Sequence, residues 1–403
     1  MNVGETGPIS GFVVGGGERW RDPFPMYRWL REHDPVHFVE AGDYWVLSRF
    51  ADVSAAAIDT QLFSSARGLT FTYDERELVG LDRDATPIVM MDPPEHTEFR
   101  RLLARGFTPK RVLDLEPAIR AFVGDRIDRL RAAGSGDIVV DLFKPLPSFV
   151  VAHYLGVPTS DRARFDRWTD AIVAANAQGG VLGASEAVGE MIEYFAALAE
   201  RRRRDPGDDT ISDLVRLQAA GVAVSDVQIL GYAFTMVAGG NDTTTGLLGG
   251  AAALLTLHLD QREALIESPD LIPNAVDEFL RLTSPVQGLA RTVTRDLDLH
   301  GRLIPERNKV LLLFAAANRD PDEFGPRGED CDVTRNPDRI LSFGFGPHHC
   351  LGAAVAKLQA RVTLEELLAR CPRFAVDPDE GRYADGPFVR RYASLPFIAD
   401  TTS

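Results

Sequence analysis

Apolar and polar positions along the chain recur mostly with the 3.6-residue period of amphipathic helices. Residues 23–33 carry such a stripe behind an Asp-Pro pair and predict a first helix. VHFVE and DYWVLSR then alternate with period two, which predicts a small hairpin. Helical spacing returns over 50–59, whereas 64–92 has no clear period and predicts a long loop region. Further helices are expected over 95–106, 109–133, 144–155, 161–177 and 184–204. Four arginines at 201–204 close the last of these, where cations meet the negative end of the helix dipole.

The longest apolar run, ILGYAFTMVAGGNDTTTGLLGGAAALLTLHL over 229–259, has the length of a membrane span. Its middle, however, holds Asn241, Asp242 and Thr243 to Thr245, and a carboxylate at mid-membrane is costly. The run therefore predicts a central helix, about 45 Å long at ~1.5 Å per residue, with Ser225 and Asp226 at its start. A helix follows Pro273 and ends near Ser284-Pro285. Residues 289–313 read as strands, 318–339 as an ordered loop, 351–370 as a helix and the remainder as a short irregular or β tail. No repeat or linker divides the chain. The fold class expected is mainly α with a minor β part, a single domain over 1–403 with residues 1–20 flexible.

Composition narrows the function. With 403 residues, 45% of them hydrophobic, the chain can bury a large core. A net charge of −15 disfavours nucleic acid and anionic membranes as partners. The N-terminus has no basic region followed by an apolar run, so neither a signal peptide nor an anchor is expected. Three cysteines, Cys331, Cys350 and Cys371, are too few and odd in number for a disulfide framework and fit a reducing cytoplasm.

One cysteine stands in unusual company: FGFGPHHCLG over 343–352. A helix starting just after Cys350 would turn its backbone N–H groups and dipole toward the sulfur and favour a thiolate. His348 and His349 add potential positive charge, and Gly344 and Gly346 permit tight turns and close approach to a flat ligand. This chemistry suits an activated nucleophile or a metal ligand; a buried cysteine at a helix edge is the plain alternative. No CxxC pattern supports zinc. Elsewhere, Gly239 and Gly240 each weaken a helix interior by roughly 1 kcal/mol relative to Ala. They make room either for a ligand or for a neighbouring helix, and Thr243 can return its hydroxyl to a backbone carbonyl and bend the helix. Glu278 and Arg281 share a helix face, as do His96 and Arg100; taken alone, both pairs read as solvated surface.

FGFGPHHCLG resembles the haem-binding loop of the cytochrome P450 superfamily, F-x-x-G-x-x-x-C-x-G, matching it at Phe343, Gly346, Cys350 and Gly352. The resemblance implies that Cys350 is the axial thiolate of haem b, with Phe343 and Gly344 in the same loop. AGGNDTTT resembles the family's central-helix motif, which gives Asp242 and Thr243 the role of proton relay to bound O2, with Gly239 in place of the commoner alanine. Glu278 and Arg281 resemble the E-x-x-R pair, whose role is structural, with residues 318–321 and the loop near Arg339 as expected partners. His96, Arg100, Arg291 and His348 match the cationic partners of the haem propionates.

The resemblance runs from about Pro23 to Phe397, and several segments look like an actinobacterial, mycobacterial-type subgroup, family 130. It implies monooxygenation: one oxygen atom of O2 enters an apolar small molecule by hydroxylation or heteroatom dealkylation. With no reductase fused, electrons would come from a separate ferredoxin and its NAD(P)H reductase; Arg100, Arg101, Arg105, Lys110 and Arg111 form a local basic cluster, of which Arg101, Arg105 and Lys110 would either steer an acidic ferredoxin or be ordinary solvated charges. Residues 69–89, Phe234, Val237, Gly239, Val286, Leu289, Phe388 and Val389 would line the substrate pocket; the apolar ones suit ordinary core equally well. A peroxide-driven peroxygenase and a non-catalytic haem or gas-binding protein would keep the same Cys350.

Overall fold

The computed structural model describes residues 15–73, 86–177 and 184–399. Helix Glu116–Ala133 shows how the apolar period builds the core. Ile119, Val123, Ile127 and Leu130 recur on one face and are buried. Helix Ala353–Arg370 packs against it, and a Cβ on Gly124 would stand 3.0 Å from Arg370 Nη2, so a small residue lets the two helices close. Burying such side chains stabilises the fold by roughly 1.5–3 kcal/mol each. A second core gathers Phe165, Trp168, Phe195, Ile211, Leu214 and Tyr232.

The β part is small. Its largest sheet orders Val36–Val39, Tyr44–Leu47, Lys309–Leu312, Leu289–Val293 and Phe63–Ser64. The second and third strands run parallel, Tyr44 opposite Lys309, and the other pairs are antiparallel.

The predicted elements recur with corrections. The expected 109–133 helix is two, Pro109–Leu113 and Glu116–Ala133. Thr210–Ala219 is a helix that the pattern did not give; the Asp209 carboxylate caps it, accepting from Ser212 N at 2.7 Å. The central helix is also divided, into Asp226–Gly240 and Asp242–Leu257, and Leu259–Glu267 is separate. The start at Ser225 is as expected: its hydroxyl accepts from Gln228 N while the Gln228 side chain accepts from Ser225 N. The division at Asn241 has a local cause. Asn241 Nδ2 donates to Val237 O at 2.7 Å and Thr243 Oγ1 to Gly239 O at 3.1 Å, so side chains compete for carbonyls that regular helix turns would use.

Of the N-terminal residues expected to be flexible, 1–14 lie outside the described residues. Trp20 is fully buried and donates from Nε1 to Gly386 O at 3.0 Å. Among the described residues no helix is long and apolar enough to cross a membrane.

Candidate active site

The Cys350 loop is shaped by two glycines that no other residue replaces cheaply. Gly344 and Gly346 both have φ +68°. A Cβ on Gly346 would lie 2.9 Å from Ala57 O and 3.1 Å from Ile58 Cα, so the loop is pressed against helix Phe50–Ile58. Cys350 N donates to Phe343 O at 2.8 Å and closes the turn. Gly352 then caps helix Ala353–Arg370. Cys350 is accessible, yet burial pushes its thiol pKa up; a sulfur facing an internal space satisfies both observations. The Gly352 backbone N–H and the Arg100 guanidinium act in the opposite direction and favour the thiolate. The remaining cysteines have ordinary surroundings: Cys371 is buried, and burial raises Cys331 to about 12.

The four cationic residues singled out in the sequence converge beside this loop. The rings of His96 and His348 stand 4.2 Å apart between centroids. Arg100 donates from Nη2 to His349 O at 2.5 Å. Arg291, on strand Leu289–Val293, is 4% exposed, and burial lowers it to about 10. Burial, then Arg291, His96 and Arg100, depress His348 to about 3. His96, 1% exposed, has no hydrogen-bond partner at Nδ1.

No ion pair forms to Arg291 among the described residues. The nearby Asp92 carboxylate is taken up by Ser64 Oγ at 2.5 Å and Ser65 N at 2.9 Å. A buried guanidinium without an ion pair, a half-buried one beside it and an orphaned imidazole nitrogen are what a pair of carboxylates would satisfy. The donor set therefore fits haem propionates, and the accessible thiol that follows two glycine turns fits the axial ligand.

The divided central helix supplies the second part. Gly240 is a packing glycine: a Cβ there would approach Val151 Cγ2 at 2.8 Å. Gly239 is different, because it is exposed at the end of helix Asp226–Gly240 and a Cβ would meet nothing within 4 Å. Gly240 thus packs against a neighbouring helix, whereas Gly239 leaves open space. Thr243, one turn on, also keeps accessible surface.

Asp242 is 19% exposed and pairs with Arg391 Nε at 2.6 Å, a partner that no motif indicated. Burial raises the Asp242 pKa; Arg391, then Lys144, oppose it. Gly246 admits that partner, since a Cβ there would lie 2.8 Å from Arg390 O. The signal for Arg391 is tertiary, lying in a tail that pairs with the helix only after folding.

The pocket candidates divide. Phe234, Gly239, Val286, Leu289, Phe388 and Val389 keep accessible surface. Val286 bridges Val389, Gln287 N donates to Phe388 O at 2.8 Å, and Ala290 N donates to Leu69 O at 2.8 Å, so three distant segments meet. Phe71 joins them, its ring 4.9 Å from that of Phe388. Val237 is a correction: it is fully buried in the helical core and lines no open space. Of the expected 69–89 wall, 74–85 lies outside the described residues.

Within the basic set, Arg111 pairs with Asp213 and Lys110 with Asp114, which leaves Arg100, Arg101 and Arg105 without ion pairs among the described residues. The Glu278–Arg281 pair is not surface at all. Both side chains are 0% exposed and joined by two bonds of 2.7 and 2.8 Å. Arg281 also donates to Asn318 O at 2.7 Å, as expected for the loop after 318. Arg335, in the loop near Arg339 where a partner was expected, joins Glu278 at 3.3 Å; Arg339 itself pairs with Glu323 at the surface.

Fold and site define a haem-thiolate protein, and the chain belongs to the cytochrome P450 family, whose model matches residues 263–383. Its members are monooxygenases that bind haem b. Cytochrome P450 130 of Mycobacterium tuberculosis is 55% identical to it, over 96% of this chain and 97% of that protein. The vitamin D(3) 25-hydroxylase of Pseudonocardia autotrophica is 36% identical, over 94% of each. Among solved structures, cytochrome P450 CYP109Q5 of Chondromyces apiculatus superposes with a TM-score of 0.87 at 32% identity, covering 97% of this chain and 99% of that one.

Proposed function

We propose that this chain, acting as one domain, inserts one oxygen atom of O2 into an apolar small molecule, by hydroxylation or heteroatom dealkylation, using electrons from a separate ferredoxin and NAD(P)H reductase. The observation that carries this reading is Cys350: an accessible thiol in a loop held by two left-handed glycines, beside the cluster of His96, Arg100, Arg291 and His348. Haem b would be held by Cys350, with His96, Arg100, Arg291 and His348 as partners for its propionates, and would supply the oxygen-activating chemistry. The chain's own residues supply positioning and protons. Gly239 leaves space where the central helix divides, Thr243 presents a hydroxyl there, and Asp242 holds a proton more readily than an exposed aspartate. Phe71, Phe234, Val286, Leu289, Phe388 and Val389 offer an apolar wall that excludes water. The vitamin D(3) hydroxylase relative supports an apolar substrate.

Replacing Thr243 with Ala tests the proton role. Product formed per NADH is expected to fall by roughly tenfold, about 1.4 kcal/mol in the partition, with peroxide released in its place. An unchanged product yield would remove Thr243 from the reaction and favour peroxide-driven turnover. The electron route has its own test. Arg101→Glu/Arg105→Glu should slow reduction by an acidic ferredoxin several-fold at low salt, and the difference should shrink as salt rises. Equal rates at low salt would exclude this face as the docking surface.

A further inference from the structure

A cavity of about 260 Å³ lies between helices Asp242–Leu257 and Ile272–Thr283, the first helix Phe24–His33 and the tail residues 378–392. It shares no lining residue with the Cys350 loop, the 239–243 segment or the Arg291 cluster. Phe24, Leu254 and Leu257 make its apolar wall, and Arg21, Arg319 and Arg390 bring three guanidinium groups to it.

The charges there are poorly balanced. Arg21 has a carboxylate partner, Glu18, at 2.6 Å. Arg319 is 8% exposed; it donates from Nη2 to Leu282 O at 2.8 Å and from Nη1 to Glu329 O at 3.5 Å, while its Nε has no partner. Arg390 donates to Trp20 O at 2.6 Å, Arg21 O at 3.3 Å and the Tyr383 hydroxyl at 2.8 Å. Neutral oxygens thus take up both groups, and neither forms an ion pair among the described residues. Both approach one ring, with Cζ 3.7 Å (Arg319) and 5.2 Å (Arg390) from the Phe24 centroid. The acid lining the cavity, Asp379, lies at its exposed edge. A buried guanidinium, Arg319, beside a half-buried one, Arg390, both hydrogen-bonded only to neutral groups, is costly unless an anion joins them. On a chain of net charge −15, this concentration of positive charge is local and specific.

We propose that this cavity is a binding site for a small carboxylate on an apolar body. The carboxylate lies between Arg319 and Arg390, and the body rests on Phe24, Leu254 and Leu257. The site is separate from the one that binds haem, and occupancy ties the first helix and the tail to the central helix.

Benzoate is the test ligand, titrated into haem-loaded protein by calorimetry while the Soret band is recorded. Saturable binding with no Soret change is expected, and benzamide, the neutral isostere, should bind at least tenfold more weakly. Leu257→Glu places a carboxylate at the mouth of the cavity; Leu257 is 66% exposed, so the fold should be unaffected. This variant should weaken benzoate at least fivefold, and Arg390→Gln should do so by tenfold or more. Absence of binding, equal affinity for benzamide, or affinity unmoved by Leu257→Glu would each overturn the proposal. So would binding that shifts the Soret band and is displaced by an azole at the haem.

Discussion

Replacing Glu278 with Ala should cost about 3–5 kcal/mol of stability, because it strands Arg281 as a buried, unpaired cation. Glu278 takes two bonds from Arg281, one from Asp332 N at 3.1 Å and one from Arg335 at 3.3 Å. Its loss also removes the links from helix Ile272–Thr283 to Asp332 and Arg335 in the following loop. Since domains are stable by only about 5–15 kcal/mol, the variant should express poorly and retain little haem. The urea midpoint measures it: a shift equivalent to less than 1 kcal/mol would show that the pair is as dispensable as an exposed one. A double change, Glu278→Leu with Arg281→Met, should recover part of the loss, because it removes both charges together. A double variant no better than Glu278→Ala would mean that the loop contacts, and not the stranded charge, dominate.

Cys350→Ser should abolish both turnover and the strongly red-shifted Soret band of the reduced, carbon monoxide-bound protein, while leaving the apoprotein fold nearly unchanged. A serine hydroxyl fills the same space but supplies no thiolate. Because Cys350 is accessible and its loop is held by backbone bonds and two glycines, the change should alter stability by less than about 1 kcal/mol. Cys371→Ser is the opposite control. Cys371 is fully buried, so this change should lower stability and leave the band in place. Retention of the red-shifted band in Cys350→Ser would withdraw the axial-ligand assignment.

How much of this was legible beforehand differs from element to element. The strong 3.6-residue stripes gave the helices that build the core, and capping chemistry placed the start at Ser225. The pattern missed Thr210–Ala219, whose start depends on a single cap at Asp209. It also ran through Asn241, because apolar periodicity is blind to side chains that compete for helix carbonyls. Cys350, His96, Arg100, Arg291 and His348 were readable because loop geometry and family motif constrain residue type at fixed spacing. That same reading placed Val237 at the pocket although its face of the helix turns to the core.

Local chemistry therefore determined which segments are helical and which cysteine is unusual, since both depend on residues near one another in the chain. Folding decided the rest. An i,i+3 Glu–Arg pair looks the same on a surface helix and at 0% exposure, and only packing distinguishes a marginal contact from a brace of several kcal/mol. Arg391 meets Asp242, and Arg319 meets Arg390 around a cavity, across long stretches of sequence. Electrostatic energy depends on distance and dielectric, neither of which is written in the order of residues.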